Sequence, residues 1–222
     1  MALVAVESAQ RDGVADLLFA HARHEGSAGH IYPSMRLSRG PHAARDLADA
    51  VHYLCTLHGR TPGVVDLATR ALVPDELRGW ADGAIAGFRR ERAYLTRLVV
   101  AAGPLPSTPG QAESEAAVIG QRHAIEMLAS SDRAGCALGA AMALVLDWRA
   151  VRVVLDAAAK RFSVDVPPSL LPDASETGAA ASLGSSDPRV ERALMFGARQ
   201  MLVQQRGLWE LLESRHVARG DL

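Results

Sequence analysis

Four ionisable residues, His21, Glu25, Glu91 and Asp147, fall on apolar faces of helix-forming segments. Asp147 is the sharpest case. It follows an uncharged run, Gly135 to Leu146. On a helical wheel of about 100° per residue it lies within a stripe made by Cys136, Ala140, Leu144, Val151, Val154, Leu155 and Ala158. A carboxylate withdrawn from water is costly unless it is hydrogen-bonded, paired or bound to a metal. His21 and Glu25 stand four residues apart and can touch on one helix face. Glu91 shares the stripe of Trp80, Ala84, Phe88, Leu95 and Leu98, with Tyr94 at its border. His24 and His58 are further inward candidates.

Carboxylates and imidazoles projected inward from several helices are how bundles build metal sites. Such a donor set suits Fe, Mn or Zn. The competing reading is a core network in which the acids pair with arginines of neighbouring helices, and it is preferred because buried charges are generally paired. A di-iron bundle would carry Glu-x-x-His on two helices. The literal match here is Glu213 to His216, outside the middle of a stripe. Similarity to ferritin-like bundles is therefore one of architecture and inward acids, without ligand assignments.

Other polar rows are expected to face solvent. His42, Asp46, Asp49 and Tyr53 stack opposite the Leu47, Val51 and Leu54 stripe. Glu115, Arg122 and Glu126 sit at the edge of the apolar face, beside Ile119, and read as an ion-pair row. Arg149, Arg152, Asp156 and Lys160 lie opposite the Asp147 stripe. Nucleophile elbows, phosphate loops, Cys-x-x-Cys and His-Glu-x-x-His are absent from the sequence. Gly135-x-x-x-Gly139 signals close helix approach.

The elements that must position these residues are helical. Aromatics are 5% of the 222 residues, and 3.6-residue periodicity recurs where strand alternation does not. The spacing predicts helices over about 8–25, 42–58, 62–71, 75–101, 112–129, 133–162 and 188–216. Thr61 and Pro62 are the expected start of the third. Residues 172–187 are low in complexity and read as a mobile linker. The expectation is one all-α domain spanning 1–222, an up-and-down bundle of four or five long helices plus a short one.

A net charge of −1 gives no reason to expect a nucleic-acid partner. The longest uncharged apolar run, twelve residues at 135–146, falls short of the roughly 20 a membrane span needs. Two cysteines, Cys55 and Cys136, make no disulfide framework, so a cytoplasmic, soluble protein is expected. The segments 53–68 (YLCTLHGRTPGVVDLA) and 135–162 resemble an uncharacterised alphaproteobacterial all-helical family. That resemblance implies no activity. The reading is a non-catalytic structural or interaction protein, with a homodimer through an outer helix face as its candidate assembly. The alternative is a bundle binding a metal or small ligand at His21, Glu25, Glu91 and Asp147.

Overall fold

The computed structural model describes residues 2–69, 74–105, 108, 110–185 and 187–220, with the backbone alone for 2–12. It is all-α. Eight α-helices occur among the described residues: α1 (Ala2–Glu25), α2 (Ala43–His58), α3 (Val64–Ala68), α4 (Arg78–Ala102), α5 (Gln111–Ala129), α6 (Cys136–Phe162), α7 (Ala174–Gly184) and α8 (Pro188–Gly220). The expected helix 62–71 is shorter, starts from Gly63 and not from Thr61, and its positions 70 and 71 lie outside the described residues.

The long helix α6 is the axis of the molecule. It is apolar around most of its circumference, as a fully enclosed helix must be. It packs on α8 above all, and also on α1, α2, α3, α4, α5 and α7. Its tightest contact is the crossing with α8. A Cβ on Gly139 would overlap the backbone of Leu194, and one on Gly197 would overlap the backbone of Cys136. The two backbones therefore meet where both helices lack side chains, as the Gly135-x-x-x-Gly139 spacing leads one to expect.

Two connections carry more structure than their sequences advertise. The connector after α1 holds a short 3-10 turn at Ser27–Gly29 and a wide turn at Tyr32–Arg36, closed by Leu37 N–H to the Tyr32 carbonyl at 2.9 Å. The expected linker at 172–187 is instead largely α7. Asp173 and Glu176 form a reciprocal cap: Glu176 N–H donates to Asp173 Oδ1 at 2.8 Å, and Asp173 N–H to Glu176 Oε2 at 2.7 Å. Such a box satisfies helix-end donors that would otherwise lack acceptors. The small residues that made the segment look like a linker let α7 lie against α1 and α6. Thr177, Ala180 and Ala181 are buried, and Trp80 Nε1–H donates to the Thr177 hydroxyl at 3.2 Å.

Candidate functional site

Asp147 is 2% exposed and points from α6 toward α8 and the turn after α1. Its partners among the described residues are neutral. Ser27 donates twice, through its backbone N–H to Oδ1 at 2.6 Å and through its hydroxyl to Oδ2 at 2.5 Å. Gln205 of α8 donates its amide N–H to Oδ2 at 3.3 Å. Trp209 Nε1–H in turn donates to the Ser27 hydroxyl at 2.7 Å. The Gln205 carbonyl oxygen lies 2.6 Å from Nε2 of His58, at the end of α2. With His58 as donor, each hydrogen bond in the chain is directed toward the Asp147 carboxylate. Gly26 is what lets the turn come this close, since a Cβ there would overlap Asp147 Oδ1.

Burial dominates the electrostatics. It raises the Asp147 pKa above the ordinary carboxylate range, while the Ser27 and Gln205 hydrogen bonds oppose that rise. Burial pulls His58 down to about 4, with the Gln205 contact opposing and Arg92 assisting. His58 is therefore neutral at pH 7, consistent with one N–H serving Gln205. Its ring stands edge-on to Trp148, 5.4 Å between centroids.

Glu91 belongs to a second group on another side of α6. It is 1% exposed and accepts from Trp148 Nε1–H at 3.0 Å and from Arg152 at 3.0 and 3.2 Å. Arg152 also donates to Asp156 at 3.1 Å and to the Pro167 carbonyl at 2.7 Å. Tyr94 donates to Asp156 at 3.0 Å. The expectation that Arg152 faces away from the core is corrected here. Its guanidinium reaches around α6 along its own alkyl stem, which a wheel drawn on Cα positions does not register.

The four residues singled out as metal ligands are not brought together. Asp147 and Glu91 occupy the two groups just described. His21 and Glu25 make their expected contact at 2.7 Å, but stand at the surface with side chains 24% and 37% exposed, and Glu25 lies 3.5 Å from Arg199. The buried face of α1 follows Val14, Leu18 and Ala22, and Leu17 is exposed, so the true stripe is rotated away from His21. Among the described residues no group of three or more His, Cys, Asp or Glu side chains is placed to hold a metal ion. His24 is exposed. In the Glu213–His216 pair, Glu213 meets Arg36 at 3.0 Å, and His216 meets Asp46 at 2.6 Å.

A family model for a family of unknown function, DUF6975, matches residues 22–220. The chain belongs to that family. No curated protein and no solved structure matches it. The matched range takes in both polar groups around α6 and leaves most of α1 outside.

The α2 polar row is a further correction. Asp46 and Asp49 are 3% and 2% exposed, not solvated. The last turns of α8 cover them: His216 and Arg45 hold Asp46, while Arg215 and Arg219 approach Asp49 Oδ2 at 3.4 and 2.5 Å. Amphipathicity separates polar from apolar faces. It does not separate water from a second polar face of opposite charge. The basic run Arg215, His216, Arg219 was the available signal. Ser27 carries no sequence signal of its burial, because a 3-10 turn has no hydrophobic period. Gln205 borders the stripe of Met201, Leu208 and Leu212, a spacing that places it at the edge of the buried face of α8.

Proposed function

We propose that this chain is a non-catalytic structural or interaction protein, a single helical domain of the cytoplasm whose interior ionisable residues fasten its helices. The observation that supports this reading best is the saturation of Asp147. Ser27 and Gln205 supply the donors its carboxylate needs, and the donors behind them are aligned toward it. A fully satisfied polar network specifies one packing arrangement, because alternatives leave buried polar groups unpaired. Glu91 supports the same view, with Trp148 and Arg152 occupying both its oxygens. No described helix is long and apolar enough to cross a membrane. Association with a second copy through an outer helix face belongs to this reading, and sedimentation equilibrium reads it directly.

Elemental analysis tests the proposal. The protein is purified without a metal-affinity tag from cells replete in iron, manganese and zinc. The expected result is metal far below one equivalent. One equivalent of Fe, Mn or Zn that disappears in Asp147→Ala would contradict it.

A further inference from the structure

Helix α8 changes its mode of attachment at Leu212. Leu208, Trp209 and Leu212 are buried in the core, and Leu212 is the last apolar residue of the helix to be so. Beyond it, Val217 is 54% exposed and Ala218 is exposed. Charge and hydrogen bonds hold residues 213–220 in place. Glu213 meets Arg36 at 3.0 Å on the surface. His216 meets Asp46 at 2.6 Å. Arg215 and Arg219 share one oxygen of Asp49, Oδ2. They also donate to the hydroxyls of Ser114 and Thr108, at 2.9 Å in each case. Asp46 and Asp49 lie beneath these turns, three positions apart on α2 and 3% and 2% exposed.

This contact is incompletely satisfied. Asp49 Oδ1, Arg219 Nε and Arg45 Nη2 are enclosed, yet meet no hydrogen-bond partner among the described residues. A buried polar atom without a partner carries a desolvation cost that water would remove. Asp147 differs, since both its oxygens accept hydrogen bonds. Lifting residues 213–220 therefore hydrates three unpaired atoms and withdraws no buried apolar side chain of its own from the core. What it uncovers includes the Tyr53 ring, which lies 5.4 Å from the Arg215 guanidinium. Proteins open locally where few apolar contacts resist. The charges so released meet dissolved salt, which screens their attraction and favours the open state. We propose that residues 213–220 form an ionic strap that lifts as a local unit, uncovering the Asp46 and Asp49 face of α2 while the core stays folded. Rising ionic strength favours the lifted state, so the strap couples salt to the display of two carboxylates. Leu208, Trp209 and Leu212 keep the rest of α8 docked, and the Asp147 network lies on the docked side.

Carboxylate footprinting of the full chain tests this. A water-soluble carbodiimide couples glycine ethyl ester to accessible acids, and peptide mass spectrometry reads initial rates at about 50 and about 500 mM sodium chloride. Asp46 and Asp49 should be modified together, about tenfold or more faster than Glu91 and Asp147, which are as deeply buried but lie in the core. Relative to the exposed Asp82, their rate should rise about threefold between the two salt concentrations, while Glu91 and Asp147 stay protected. Joint replacement of Arg215→Gln and Arg219→Gln should bring Asp46 and Asp49 to the high-salt rate already at low salt. The proposal is overturned if Asp46 and Asp49 react only as fast as Glu91 and Asp147, since the strap would then open only with the whole fold. It is equally overturned if salt leaves their rate relative to Asp82 unchanged. The native chain decides both points, whether or not the double variant folds.

Discussion

Asp147 is a buried carboxylate whose hydrogen-bond partners are a serine and a glutamine. Asp147→Leu would leave the Ser27 and Gln205 donors unpaired in a closed interior. It should destabilise the fold by about 3 kcal/mol or more, since each orphaned donor costs roughly 1–3. Thermal denaturation reads this, and an unchanged midpoint would deny the network its role. His58 gives a pH signature. Its ordinary value is 6.5, and the folded protein holds it at about 4. Below pH 6.5 the unfolded chain takes up a proton that the folded chain refuses, so the His58 contribution is complete above that pH and is lost toward pH 4. Asp147 has the opposite sign, because its folded value is raised; its contribution is complete at low pH and is lost as the pH climbs through that raised value. Between about pH 7 and pH 5, replacing His58 by Gln should remove about 2 kcal/mol of acid destabilisation, since each tenfold difference in proton affinity is worth about 1.36 kcal/mol. Denaturant titrations of both proteins at the two pH values measure the difference. Equal pH dependence would mean that His58 titrates normally.

At the scale of elements, the crossing of α6 and α8 sets the tolerances. Gly139→Ala and Gly197→Ala should each cost about 1–3 kcal/mol, because a methyl group there must displace backbone. Retention of the native melting temperature in both would show that the helices are further apart than described. Long helices were legible because periodicity survives over many turns, and the ends of α2, α5 and α6 fall close to their expected positions. The 172–187 segment was not, since Gly, Ala and Ser dilute any stripe. Yet Asp173-Ala-Ser-Glu176 has the spacing of a capping box and announces α7 before its composition denies it. Faces were less legible than helices. His21 shares a wheel sector with Leu17, and neither is buried, whereas Asp46 and Asp49 share a polar row and both prove buried. A sequence reports the polarity of a face but not which neighbour covers it.

In the whole molecule, two polar groups flank α6 and tie it to segments distant in sequence. Glu91 and Arg152 join α4 to α6, while Ser27, His58 and Gln205 join the α1 turn, α2 and α8 to Asp147. Removing one partner of the Glu91–Arg152 pair, as in Arg152→Met, should cost about 3–5 kcal/mol through the unpaired buried charge that remains. Urea unfolding of the variant measures that cost, and a native-like midpoint would contradict it. That neither group gathers three metal-type ligands follows from this arrangement: each acid meets its own neighbours on its own side of α6. The central claim, that Asp147 serves packing through Ser27, is tested most directly by a double-mutant cycle of Asp147→Asn and Ser27→Ala under denaturant unfolding. A coupling energy of about 1–3 kcal/mol is predicted, as for residues sharing one hydrogen-bond network. Additive losses, with no coupling between the two positions, would contradict the account.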